Sequence, residues 1–197
     1  APLAVPLDLT FNKAIALETD GIAEHAEKEI QNLDLLSHYS ANLRKIICEE
    51  VGATEEEMPL KGMHFVVDAS NGAGGFFASQ VLEALGADIS GSIYLDPDGT
   101  FPNHVPNPEN KKAMDSIKKA TLDNQADLGI IFDTDVDRAA TVFPSGKEIN
   151  KNALIALMAS IVAQKMPGST VVTDSVTSDQ LEEFLVNRLG LKHHRFK

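Results

Sequence analysis

From residue 60 onward short apolar runs alternate with helix-forming segments, and this alternation limits the fold more than any other feature of the sequence. Residues 64–67, His-Phe-Val-Val, read as a short buried strand, 71–75 as a glycine-rich turn and 76–85 as a helix ended by Gly86. The next strand lies within 87–95. A strand, a helix and a second strand in that order form a βαβ unit, whose crossover favours a parallel sheet.

The pattern continues. A proline-rich loop over 96–108 leads to Asn107-Pro108-Glu109, which offers an N-cap and an N1 proline for a helix reaching about Ala120. Buried strands follow at 128–132 and 139–143, the latter turned by Pro144-Ser145-Gly146. A second unit begins near Asn150. Asn152 is the expected cap of a buried helix over 153–165 that Pro167-Gly168 stops, and 170–173 is a strand. Thr177 with Gln180 matches a capping box for a helix over 179–189, ended by Gly190, and 192–197 starts a further strand. Upstream, Leu36, Tyr39, Leu43 and Ile46/Ile47 recur at helical spacing, so 33–48 reads as an amphipathic helix and 52–59 as an acidic linker. The expected organisation is a helical lead-in and linker over 1–59, an α/β domain over 60–149 and an incomplete α/β domain over 150–197.

Composition bears on what such a chain meets. With 17 basic against 29 acidic side chains in 197 residues, the net charge of −12 excludes a coat for nucleic acid or anionic membrane. Eight of those negative charges fall within 18–57, where a solvated helical face is the ordinary explanation. The longest apolar stretch, 153–163, is interrupted by Ser160 and is shorter than the roughly 20 residues of a membrane span. Residue 1 is Ala and no leader pattern opens the chain, so the expectation is a processed protein or an excerpt. The single Cys48 cannot form an internal disulfide, which fits a reducing compartment such as the cytoplasm, with a plastid as the alternative.

The sharpest chemical signal is Ile130-Ile131-Phe132-Asp133-Thr134-Asp135-Val136-Asp137-Arg138, three carboxylates at alternate positions directly after a buried strand. Extended backbone sends alternate side chains to one face, so Asp133, Asp135 and Asp137 are expected to converge. Like charges held together need a cation, and an all-oxygen set selects a hard ion such as Mg²⁺ or Ca²⁺. Arg138 is suited to grip a phosphate beside that ion. An acidic loop capped by its own amides is the non-functional alternative. An EF-hand fails, because Arg138 and Pro144 stand where Gly and Glu are required. A dehalogenase-type phosphatase loop, with Asp133 as nucleophile, stays open. The turn Ser70-Asn71-Gly72-Ala73-Gly74-Gly75 lacks the third glycine of a dinucleotide fingerprint and the Gly-Lys of a P-loop, and reads as a tight βα turn without a ligand. The loop 98–109 reads as a proline-stiffened connection in which Phe101 packs underneath and His104 makes hydrogen bonds.

Gly99-Thr100-Phe101-Pro102-Asn103-His104, Pro106-Asn107-Pro108-Glu109 and the segment Asp127 to Arg138 together resemble the phosphoglucomutase/phosphomannomutase (α-D-phosphohexomutase) family. Val67-Asp68-Ala69-Ser70-Asn71-Gly72-Ala73-Gly74 and Val172-Thr173-Asp174-Ser175-Val176-Thr177-Ser178 match lesser family segments. The resemblance runs from about residue 60 to the C-terminus. It implies tandem α/β/α domains with mixed, mostly parallel sheets, the second and part of the third of a four-domain enzyme. It also implies transfer of a phosphoryl group between C1 and C6 of a hexose phosphate through a hexose bisphosphate, by way of a phosphoserine in another domain. In that family the aspartate triad binds Mg²⁺ and the following arginine contacts the phosphoserine, which maps onto Asp133, Asp135, Asp137 and Arg138.

The departures are as informative. The family's serine loop reads Ser-His-x-Pro, whereas Ser37-His38-Tyr39-Ser40 lies in the amphipathic helix with no proline after it. The family's sugar-recognition and C-terminal phosphate-binding motifs are absent. The expectation is therefore a phosphohexomutase portion that does not turn over alone, its partners being hexose phosphates and the remaining domains of its parent chain. A non-catalytic module that binds metal and sugar phosphate is the competing reading.

Overall fold

The computed structural model describes residues 34–196. Packing divides the chain between His38 and Tyr39. Before that division only the opening of a helix is described, where Asp34 accepts hydrogen bonds from the Ser37 amide at 3.1 Å and its hydroxyl at 2.6 Å. The part of the acidic lead-in upstream of residue 34 lies outside the described residues.

Helix α1 (Leu35–Val51) begins later and runs further than its periodicity predicts. Arg44 fastens it, donating to Glu55 at 2.8 Å and to the Gln80 carbonyl at 2.7 Å. The acidic linker is not wholly extended, because Glu55–Glu57 forms a 3-10 turn with the Glu57 carboxylate on the Thr54 amide. There follow β1 (Phe65–Asp68), α2 (Phe77–Leu82, wound as a π-helix and continued as a 3-10 turn over Glu83–Leu85), α3 (Lys111–Asp123), β2 (Leu128–Phe132) and β3 (Ala139–Val142). The second unit comprises α4 (Lys151–Lys165), β4 (Thr170–Thr173), α5 (Asp179–Glu183, continued as a π-helix over Phe184–Arg188) and β5 (Lys192–Arg195).

The first sheet has the order β1-β2-β3. β1 and β2 are parallel, with Val67 opposite Ile130, because the chain between them crosses over through α2 and α3. β2 and β3 are antiparallel, with Ile131 opposite Ala140, because the loop 133–138 is too short for a crossover. Side-chain alternation sorts the core into two layers. Val66 and Ile131 pack with Met114 and Ile117 of α3, while Val67 and Phe132 pack with Cys48 of α1 and Ala78 and Leu82 of α2. Each of the buried Val, Ile, Leu, Met and Phe side chains contributes about 1.5–3 kcal/mol. Gly129 lets α3 lie close on β2, since a Cβ there would fall 2.0 Å from Thr121 Oγ1. The second sheet pairs β4 and β5 in parallel. The chain is thus α/β with mixed, mostly parallel sheets, as expected, and no helix among the described residues is long and apolar enough to cross a membrane.

Several local expectations are corrected. Residues 87–95 form no strand; isolated bridges join Asp88 to His64 and Ile93 to Asp68. Between them Ser90-Gly91-Ser92 bows out, and the Val67 amide bonds the Ser92 hydroxyl at 3.0 Å in place of a backbone carbonyl. Helix α3 is capped by Asn110, which accepts from the Lys112 and Ala113 amides, while Asn107 closes a turn by accepting from Glu109. Helix α4 is capped by Asn150; Asn152 instead accepts the Ser178 amide at 3.1 Å. Ser178, not Thr177, caps α5, and the Thr177 hydroxyl turns to Thr173 at 2.9 Å. Nor is α4 buried. Its packed side is Ala159, set against Leu181, Leu185 and Leu191, while Leu157 and Met158 are 56% and 59% exposed.

Candidate metal centre

Asp133 follows β2 immediately and is buried, whereas Asp135 and Asp137 are exposed. One carboxylate oxygen from each lies within 4.8 Å of the others. The route to this convergence differs from strand alternation. The Asp133 amide donates to the Arg138 carbonyl at 3.2 Å, closing the loop at its base, and Val136 adopts a left-handed φ of 66° that turns the chain back on itself.

Arg138 joins this base. Its amide reaches one oxygen of Asp133 at 3.1 Å and its Nε the other at 2.9 Å, with Asp137 3.4 Å away. The terminal nitrogens of the guanidinium make no hydrogen bond among the described residues. Burial pushes the Asp133 carboxyl up, but its hydrogen bonds to Asp137 and Arg138 outweigh this and hold it below the ordinary carboxylate range. The hydrogen bond and charge of Asp133, together with the charge of Asp135, push Asp137 up. The proton of this pair therefore resides on Asp137. Three carboxylates, one rigid and buried and two open to solvent, form a hard all-oxygen donor set that fits a divalent cation such as Mg²⁺, which keeps part of its water shell. Arg138 also lines a cavity of about 290 Å³ with Pro108, Glu109, Thr141 and Lys151. Lys151 is tied there to Glu109 at 2.5 Å.

The glycine-rich turn supports this loop from behind. Ser70 donates its hydroxyl to the Phe132 carbonyl at 2.7 Å and the Ala73 amide donates to the Thr134 carbonyl at 2.8 Å. A Cβ on Gly72 would come within 2.6 Å of that same Thr134 oxygen. The glycines thus serve the close approach of two backbones.

Behind the turn lies a buried pair that sequence reading did not foresee. His104 Nε2 meets Asp68 Oδ2 at 2.9 Å and its Nδ1 meets the Val105 carbonyl at 3.0 Å, while Asp68 Oδ1 accepts the Ser70 amide at 2.8 Å. Burial raises the Asp68 carboxyl and His104 partly opposes it. The pair pins the proline-rich loop to the end of β1, helped by Asn103, whose amide donates to Asn71 at 2.8 Å. The run Asp68-Ala69-Ser70-Asn71-Gly72 at a strand end is a turn signature that could have drawn attention to Asp68; nothing local marks its pairing with His104. Ser37 and His38 lie in α1, outside any loop.

Residues 37–146 match the family model described as phosphoglucomutase/phosphomannomutase, alpha/beta/alpha domain II. The chain is 31% identical to a phosphoglucomutase of Neisseria meningitidis over 159 residues, which cover 80% of it and 32% of that protein. It is 36% identical to a phosphomannomutase/phosphoglucomutase of Pseudomonas aeruginosa over 148 residues, covering 74% of it and 29% of that protein. A crystal structure of a phosphoglucomutase/phosphomannomutase family protein from Burkholderia thailandensis superposes with a TM-score of 0.65 at 28% identity, covering 79% of this chain and 33% of that one. The chain thus spans about a third of the length of the relatives it matches.

Proposed function

Because the chain belongs to the phosphoglucomutase/phosphomannomutase family, we propose that it supplies the metal-binding part of a phosphohexomutase, which moves a phosphoryl group between C1 and C6 of a hexose phosphate by way of a phosphoserine on another domain. On this reading residues 60–149 form the metal-binding domain, 1–59 lead into it and 150–197 begin a further domain. The compartment is the cytoplasm, in keeping with a single unpaired Cys48.

Asp133, Asp135 and Asp137 hold the cation, Mg²⁺. When bound, the ion offsets negative charge on the oxygens of the transferring phosphoryl group. Asp133, fixed at the strand end, sets where the site sits; Asp137 would give up the proton it shares with Asp133, and Asp135 would complete the donor set. Arg138 uses Nε to orient the loop and keeps its terminal nitrogens for the phosphoserine, where a fixed guanidinium stabilises the charge of the transition state. Lys151, neutralised by Glu109, competes little for that phosphate.

The observation that carries this reading is the convergence of the three aspartates with Arg138 at the end of β2. The dehalogenase-type alternative is separated from this reading by experiment, because each oxygen of Asp133 accepts one hydrogen bond from Arg138 and keeps a further lone pair. The test is to supply the uninterrupted parent chain with Mg²⁺ and follow glucose 1-phosphate and mannose 1-phosphate. Conversion with phosphate recovered on serine supports the proposal. Tight metal binding without conversion of either sugar sinks the enzymatic claim and leaves a binding module. Phosphate recovered on Asp133 establishes the phosphatase.

A further inference from the structure

Val136 is the least expected residue in the metal loop. It is β-branched, yet it occupies left-handed backbone at φ 66°, a region glycine enters freely and valine enters only under constraint. What constrains it is visible. The side chain is partly buried and packs against the core cluster that contains Phe132, Ala78 and Leu82. With Tyr39, Leu43, Phe76, Phe77 and Phe132 it lines an apolar cleft of about 270 Å³ between α1, α2 and the loop.

Its neighbours have little else to fix them. Asp135 and Asp137 flank Val136 and are exposed; beyond its pairing with Asp133, Asp137 has only the 3.4 Å contact with Arg138, and Asp135 makes no side-chain hydrogen bond among the described residues. The left-handed turn at Val136 is therefore what returns both carboxylates toward Asp133, and the apolar anchor is what holds that turn. Backbone held in a costly conformation by its surroundings, beside a cluster of chemical groups, is the signature of a pre-set site.

We propose that Val136 is a positioning residue of the metal loop, an apolar anchor that presets Asp135 and Asp137 before a cation arrives. The proposal rests on the reading of Asp133, Asp135 and Asp137 as metal ligands, and the experiment separates the two. Mn²⁺ binding to the 197-residue chain is measured by electron paramagnetic resonance for the wild type, Asp135→Asn, Val136→Ile, Val136→Thr and Val136→Ala. Thermal unfolding in EDTA accompanies each. Val136→Ala and Val136→Thr are expected to weaken Mn²⁺ binding roughly tenfold, as loss of groups supporting metal ligands commonly does, at temperatures where the metal-free chains are fully folded. Val136→Ile, which keeps the branch and the apolar contact, should stay within about twofold of wild type by the same scale. Wild-type affinity in both Val136→Ala and Val136→Thr, with Asp135→Asn impaired, overturns the anchor and leaves the metal site standing. Absence of Mn²⁺ binding in the wild type removes the metal reading and the anchor with it.

Discussion

Arg138 and Asp133 are joined three times, by Nε to Oδ2 at 2.9 Å, by amide to Oδ1 at 3.1 Å and by the Asp133 amide to the Arg138 carbonyl at 3.2 Å. Only the first depends on the arginine side chain. Arg138→Ala leaves the buried Asp133 carboxylate with the residue 138 amide and Asp137, at an expected cost of about 1–2 kcal/mol, less than for a fully buried pair because the guanidinium is 56% exposed. Arg138→Lys should lose nearly as much, since a point ammonium cannot reproduce a lateral Nε contact. Urea unfolding in EDTA measures both, and added Mg²⁺ should recover part of the loss by binding the folded chain. An unchanged midpoint for Arg138→Ala would mean that the backbone bonds alone hold the loop.

The proton shared by Asp133 and Asp137 predicts a pH dependence. Asp137 is raised, so its contribution to the metal-free fold is complete below its unfolded value and fades as pH rises through the folded one. Asp133 is lowered, so its contribution is present above its unfolded value and is lost as pH falls through the folded one. The metal-free loop is most stable between the two, a window straddling the ordinary carboxylate value of about 4. Cation binding needs both groups ionised and should strengthen as pH rises through that of Asp137, releasing protons on the acid side. Calorimetry in buffers of different ionisation enthalpy reads this release; equal apparent enthalpies in all buffers near pH 5 would contradict it.

Those predictions turn on residues that the sequence displayed, but the reasons for their geometry were only partly legible. Strands 128–132 and 170–173 were readable to the residue because each is a short apolar or β-branched run with clear ends. Helix starts were misplaced wherever two capping residues stand close together, Asn107 and Asn110, Asn150 and Asn152, Thr177 and Ser178. Either can accept an amide, and packing decides which one does. The apolar composition of helix α4 predicts burial, but burial depends on what faces it, and among the described residues only one side is covered. The aspartate cluster was found from its spacing, although a left-handed turn at Val136 produces it, and no local rule would place a valine there. The Asp68–His104 pair joins positions far apart in the chain, and single-sequence patterns carry no such contact.

That pair makes its own prediction. Both ring nitrogens of His104 face acceptors, so one proton must lie between Nε2 and Asp68. His104→Leu strands a buried carboxylate and should cost about 3–5 kcal/mol. Asp68→Asn should cost far less, because its carbonyl can still accept the Ser70 amide while its NH₂ donates to Nε2. Adding Asp68→Asn to His104→Leu should therefore restore stability relative to His104→Leu alone. Burial raises Asp68 in the fold, so its favourable share is present below its unfolded value and lost as pH rises through the folded one. The damage from His104→Leu should accordingly be greater at pH 7 than at pH 4. Denaturant midpoints at the two pH values decide it, and equal losses at both would show that the carboxylate stays protonated throughout.

Gly75 and Gly99 should respond differently to the same added methyl group. At Gly75 a Cβ would lie 1.9 Å from the Leu95 carbonyl oxygen and 2.8 Å from its carbon. Backbone must move to admit it, at about 1–3 kcal/mol or more by the measure of overpacked cores. Because the same turn supports Thr134 through the Ala73 amide, Gly75→Ala should also weaken divalent cation binding in whatever fraction folds. At Gly99 nothing among the described residues lies within 4 Å of the new atom, and the backbone is not left-handed. Gly99→Ala should thus stay within about 0.5 kcal/mol of wild type and leave cation affinity unchanged. Parallel unfolding curves and Mn²⁺ titrations of the two variants test the contrast. Equal behaviour would mean that the turn at Gly75 has slack to yield, and that its support of the metal loop is looser than the Ala73–Thr134 bond suggests.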